Sequence, residues 1–250
     1  MKLLLSYFIV QLKSSLIYIV SMLSNLFGQI VQTILLFFFW KHAYHASDEI
    51  IKYVIWCRVA MGFIGNNSVW GLAEEIRNGN VSLKLLKPIG YFQYTYIAYI
   101  AKQLVNVFII GIPLVVVAWM VSPVHVSILQ FLLCIVSISL SVTISFCFDY
   151  YISLLCIYTQ NTWGISALRD GLVQILSGSV VPLYLFPSHI LKIIYIFPFA
   201  YMVDVPVKIL IENRVEINLF LFQVIYCSGM LVMAVVMEDY FLKKMKIQGG

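Results

Sequence analysis

The sequence predicts an all-α integral membrane protein, and three observations predict it. Hydrophobic residues make up 62% of the 250 positions and charged residues only 11%, a balance outside the range of soluble globular domains. The apolar residues gather in runs approaching or exceeding the roughly 20 residues that a bilayer-crossing helix needs. Lys and Arg sit at the ends of those runs, where they set orientation in a membrane. The net charge of +5 is therefore no sign of nucleic acid as a partner. Membrane lipids are the partner it implies. Six crossings use roughly half of the chain. The remainder is too divided for a separate soluble domain, so residues 1–250 read as a single transmembrane domain.

The elements follow in order. Within residues 1–16, Ser6, Gln11, Lys13, Ser14 and Ser15 interrupt the apolar pattern. The segment reads either as a helix lying in the interface or as an extension of the first span. No small-residue cleavage site follows it, so it reads as retained. The first span, Ile17 to Trp40, closes on the aromatic cluster Phe37-Phe38-Phe39-Trp40. A short polar loop leads to the second, Ile51 to Gly71. Residues 72–93 form the one sizeable polar island, EEIRNGNVSLKLLKPIGY from Glu74 to Tyr91.

The third span, Tyr94 to Val121, starts among Tyr91, Tyr94, Tyr96 and Tyr99, which read as an aromatic belt. Ser122-Pro123 turns the chain into a fourth span from Val126 to about Phe148. Thr159 to Asp170 reads as a short loop or frayed helix end, overlapping the start of a fifth span, Ile165 to Phe186. Residues 187–216 contain Pro187, Pro198 and Pro206 around a short apolar piece, a pattern expected of a re-entrant or interfacial segment. The last span, Ile217 to Met237, ends in Lys243, Lys244 and Lys246.

Six crossings place both termini on one side. With the termini inside, Lys2, Lys13, Arg77, Lys84, Lys87, Lys102, Arg169, Lys243, Lys244 and Lys246 are inner. Lys41, Lys52, Arg58, Lys192, Lys208 and Arg214 are outer. The excess favours cytoplasmic termini in a cell-membrane protein.

Polar residues within the spans carry what chemistry there is. Arg58 and Lys102 lie close enough to span ends to snorkel to the headgroups. Asp149 and the Arg169–Asp170 pair read as a local ion pair near the inner surface. Ser137, Ser141 and Ser145 share one helix face, as a close-packing seam or as hydroxyls bonded to their own helix. Asn66 and Asn67 need partners in another helix or in a wet path through the membrane. His42 and His45, with Asp48, have too few companions to make a metal site. The five cysteines lack metal or redox spacing and read as buried thiols. No nucleophile and base stand together, so no catalytic residue is assigned, and no chain of intramembrane acids suggests a proton-driven pump.

Two stretches resemble the permease subunits of type-2 ABC exporters, in particular a branch of small six-span permeases. One runs Ile76-Arg77-Asn78-Gly79-Asn80 to Leu85-Leu86-Lys87-Pro88. The other comprises Leu176-Ser177-Gly178, Val181-Pro182-Leu183, Phe186-Pro187 and Phe197-Pro198-Phe199; the closing Gln248-Gly249-Gly250 is similar too. Tyr18 is followed by Ile19, where relatives often carry arginine. The resemblance implies a dimer of two permease copies, identical or not, with a cytoplasmic pair of ABC ATPases. It implies that the inner loop docks as a coupling helix on the ATPase through Glu74, Glu75, Arg77, Leu83, Lys84, Leu85, Leu86 and Lys87. It implies an outer re-entrant hairpin marked by Pro182, Pro187, Pro198 and Phe199. No nucleotide-binding GxxxxGK[ST] occurs, so no cofactor is expected on this chain, and ATP and Mg²⁺ belong to the partner.

The sequence therefore points to the membrane subunit of an exporter moving an amphipathic or lipid-like cargo by alternating access. A non-transporting sensor or assembly scaffold is the alternative, and an intramembrane lipid-modifying enzyme lacks its catalytic cluster.

Overall fold

The computed structural model describes residues 2–43, 47–65, 68–81, 84, 86, 89–159, 161–212 and 216–244. Among them the regular structure is helical throughout. The chain runs α1 (Lys2–Ile17), α2 (Ile19–Phe38), α3 (Asp48–Ile64), α4 (Val69–Arg77), α5 (Tyr91–Asn106), α6 (Ile112–Val121), α7 (Ile128–Leu154), α8 (Cys156–Thr159), α9 (Thr162–Leu176), α10 (Ser188–Ile194), α11 (Phe199–Ile211) and α12 (Ile217–Lys244). Wider π turns extend α2 over Phe39–Ala43 and join α5 to α6 over Val107–Gly111. The second is explained by Pro113, which has no N–H to give and whose ring crowds the carbonyl four residues back. The Ile112 amide instead bonds Val107 O, five residues away.

Four helical stretches are long and apolar enough to cross a membrane: Ile19–His42, Tyr91–Val121, Ile128–Leu154 and Ile217–Glu238. The pair α10 and α11, bent by 107°, makes a fifth if it is one broken span. The chain is a multi-pass membrane protein. The expected second and fifth spans are shorter as continuous helices than the sequence suggests. α3 has 17 residues and α9 has 15, about 25 Å and 22 Å of rise.

Each of these two stops for a local reason. Gly65, at φ 88°, ends α3, and Gly178, at φ 84°, follows the last turn of α9. Both use the left-handed backbone that glycine adopts without steric penalty. A side chain at Gly178 would also meet the Tyr53 hydroxyl at 2.7 Å. At its other end α9 starts earlier than expected: Asn161 accepts from the Gly164 amide at 2.9 Å, turning the expected loop into a capped first turn.

α7 is the central helix. Its N-terminus is closed by a capping box between Ser127 and Gln130, and α3, α4, α9, α11 and α12 all pack on it. Half of its best apolar window is buried, against 6% for the first long helix, so α2 is peripheral and α7 is core. Ser137, Ser141 and Ser145 are fully buried on it; Ser141 bonds its own helix, while the Ser137 and Ser145 hydroxyls meet Gln223 and Arg169 of neighbouring helices. Ser141 Oγ donates to Ser137 O at 3.0 Å. Gln223 of α12 also reaches into the seam, donating to Ser137 O, Ser141 Oγ and Tyr201 O at 2.9–3.0 Å. α1 is separated from α2 by the non-helical Tyr18 and packs on α5, with Tyr7 stacked on Tyr94 at 4.2 Å. The expected tyrosine belt is instead core: Tyr91, Tyr94 and Tyr99 are buried, and Tyr99 lies against Phe146.

Candidate functional site

The second expected span is interrupted inside the bundle. A helix end there leaves carbonyls and amides that lipid cannot satisfy. α5 satisfies the carbonyls that α3 releases. Asn106 Nδ2 donates to Gly62 O at 2.9 Å, Gln103 Nε2 to Phe63 O, and the Tyr99 hydroxyl to Ile64 O at 2.9 Å. Tyr99, Gln103 and Asn106 recur at helical spacing on one face, so one helix caps the last turn of another.

Beyond the interruption, the Ser68 amide and hydroxyl donate to Asp149 Oδ2 at 2.8 and 2.7 Å. A carboxylate there also complements the positive end of the α4 dipole. Asp149 Oδ1 accepts from Arg169 Nε at 2.6 Å. Arg169 donates further to Ser145 Oγ at 2.9 Å and Asp170 Oδ1 at 3.2 Å. Asp149 is fully buried and Arg169 only 3% exposed. This corrects the near-surface reading of the pair: the charges meet in the core, where they close the start of α4. Asn66 and Asn67, expected to face a path for cargo, lie outside the described residues.

α4 leads from this junction to the polar island. Glu74 and Arg77 pair loosely at 3.8 Å, each side chain nearly half exposed. Glu75 and Lys84 pair at 2.5 Å and are more enclosed. The Tyr91 hydroxyl donates to Glu75 at 3.2 Å, and the Lys84 ammonium lies 4.9 Å from the Tyr94 ring centre. Leu86 is 83% exposed. Leu83, Leu85 and Lys87 fall outside the described residues. Beside the loop, Glu238 of α12 accepts from the amides of Tyr91 at 2.6 Å and Phe92 at 3.2 Å, capping the N-terminus of α5.

Pro182, Pro187 and Pro198 each stand immediately before a helical segment, where their fixed φ suits a helix start. Phe199 opens α11 and packs edge-on against Phe148 at 4.9 Å. The bent pair is pinned by Asp204, which is fully buried. Asp204 accepts from the Tyr53 hydroxyl at 2.5 Å and from Tyr195, and pairs with Lys208 at 3.0 Å.

Arg58 does not snorkel. It is 5% exposed and donates to Gln32 Oε1 of α2 at 2.6 Å. Lys102 is exposed. All five cysteines are buried and unpaired. Among the described residues no three His, Cys, Asp or Glu side chains are grouped to hold a metal; His45 lies outside them.

Sequence reasoning missed Gln103, Asn106, Asp204, Gln223 and Glu238. The signal for the first four was the one used for Asn66 and Asn67, a polar side chain within an apolar run. Comparison with curated proteins gives no match. Residues 30–246 match the family model described as ABC-2 family transporter protein, and with that match over most of its length the chain belongs to the ABC-2 transporter family, as a permease.

Proposed function

We propose that this chain is the transmembrane subunit of an ATP-driven exporter, moving an amphipathic or lipid-like cargo out of the cytoplasm by alternating access. The observation that carries the reading is the family match over residues 30–246. Two permease copies work with a pair of cytoplasmic ABC ATPases, which bind ATP and Mg²⁺. The chain crosses six times with both termini in the cytoplasm. α3 with α4 forms the second crossing, α9 with the segment to Phe186 the fifth, and α10–α11 re-enters from outside. α1 lies along the inner interface against α5.

The charges of the loop divide into two jobs. Glu75 and Lys84 hold the loop to Tyr91 and Tyr94, while Glu74, Arg77 and Leu86 face outward and meet the ATPase. Leu83, Leu85 and Lys87 complete the amphipathic surface. A push on the loop moves α4 relative to α3, and α5 and α7 carry that motion to the bundle through their bonds to the end of α3 and the start of α4.

The test is purification of the native complex in mild detergent. A stoichiometric ATPase partner supports the exporter; a complex without any ATPase returns the chain to the scaffold reading. Accessibility labelling of a single cysteine at Lys84 checks the topology independently, because labelling from outside the cell removes the coupling role.

A further inference from the structure

A cleft of about 450 Å³ opens between α2, α3 and α9. Helices facing only lipid have no use for amides there, yet Asn25, Gln29, Gln32 and Gln174 line it beside Arg58 and Arg169. The two arginines differ in one respect. Arg169 is neutralised by Asp149 and Asp170. Arg58 is as buried, but no carboxylate lies within 4.0 Å of it among the described residues. Its Nη2 is used by Gln32, and its buried Nε has no hydrogen-bond partner.

A guanidinium offers five donors in a planar fork suited to an oxyanion. Held unneutralised among apolar helices, it is strongly unfavourable unless something completes it. Gln29 Oε1, on the cleft wall, is likewise buried without a donor. Asp170 also lines the cleft, but its Oδ1 is engaged by Arg169. The positions without a partner are thus the Arg58 Nε–H and the Gln29 Oε1.

We propose that this cleft receives the anionic headgroup of an amphiphile, with the oxyanion on Arg58 and a headgroup hydroxyl or amide N–H donating to Gln29. The acyl chain lies along the flank of α2, where Phe27, Val31 and Ile34 are exposed. The assignment rests on the permease reading for its meaning, since it names the cargo class. The binding itself is measured without any ATPase.

The experiment uses the full chain in neutral maltoside micelles, with native mass spectrometry and ligand titration. The probes are lysophosphatidylglycerol, lysophosphatidylcholine, dodecyltrimethylammonium and inorganic phosphate. One lysophosphatidylglycerol per chain is expected to survive. Its affinity should fall at least tenfold in Arg58→Gln and less in Arg58→Lys. Gly28→Leu is the second variant, because Gly28 lines the cleft and a Cβ there meets nothing within 4 Å. It should weaken binding while leaving thermal unfolding in place, so the test survives an Arg58 variant that fails to fold.

Phosphatidylglycerol co-purifying at one per chain identifies the occupant as a membrane lipid. A site filled only after addition identifies a separate amphiphile, and both support the headgroup chemistry. Equal binding of the zwitterionic or cationic probe overturns it. So does inorganic phosphate binding as tightly as the lysolipid, or lysophosphatidylglycerol binding unchanged in both Arg58→Gln and Gly28→Leu. An ATPase-free native complex with intact lysophosphatidylglycerol binding would instead remove the exporter reading and leave the site.

Discussion

Replacing Asp149 with leucine removes the one buried carboxylate that both neutralises Arg169 and caps α4. The guanidinium left behind is 3% exposed, and stranding a buried charge in this way is destabilising by about 3–5 kcal/mol. Asp170 restores little of that. Its contact is 3.2 Å long with a side chain 44% exposed, the solvent-screened kind worth at most about 1 kcal/mol. Losing the acceptor for the Ser68 amide and hydroxyl adds about 1 kcal/mol. The expected loss is therefore about 4 kcal/mol, measured as the shift in denaturant- or heat-induced unfolding in micelles. The double variant Asp149→Leu with Arg169→Met should recover most of it, since an apolar pair of similar volume replaces a buried ion pair with little penalty. It should not recover ATP-coupled transport, because the start of α4 still has no acceptor. The reasoning is refuted if the single variant loses less than about 1 kcal/mol, or if the double variant unfolds no later than the single.

The remaining predictions address the loop, the interruption and the bend. Charge reversal of Arg77 together with Lys87 should abolish cargo-stimulated ATPase activity in the native complex while the protein still inserts; unchanged coupled transport would sink the docking role. Asn106→Leu strands Gly62 O and should destabilise by about 1–3 kcal/mol, read as earlier unfolding. Gly178→Ala forces an L side chain into a left-handed position facing the Tyr53 hydroxyl at 2.7 Å and should destabilise by about 1–3 kcal/mol. Gly71→Ala, with open space around its Cβ, should leave stability within about 1 kcal/mol of the parent chain.

Much of the architecture was legible because hydropathy in a membrane has few solutions. The long runs that became α2, α5 with α6, α7 and α12 needed only length and composition. The short helices were harder to see for a physical reason. α3 and α9 end where glycine takes a left-handed backbone, at Gly65 and Gly178, and hydropathy averaged over 20 residues passes over one such position. The charged pairs failed differently. A residue's place along a span says how near it is to an end, but not which helix lies beside it. Asp149 and Arg169 lie near the expected span ends at Phe148 and Ile165 and still meet in the core, because α4, α7 and α9 converge there. Arg58 found Gln32 for the same reason. The tyrosines at the start of the third span were misread as a belt because composition cannot distinguish a ring facing headgroups from one facing Phe146. The polar island was evident from sequence, but its division into a pair folded against α5 and a pair facing out came only from the side-chain contacts.

Glu238 has an implication for biosynthesis. The amides of Tyr91 and Phe92 depend on a carboxylate 147 and 146 residues downstream, which the ribosome delivers long after α5 itself has been made. Until α12 has emerged and inserted, the N-terminus of α5 lacks that acceptor, so the bundle cannot reach its final arrangement in strict order of synthesis. A nascent chain arrested before Glu238 should remain a substrate for membrane quality control even though the earlier crossings have already left the translocon.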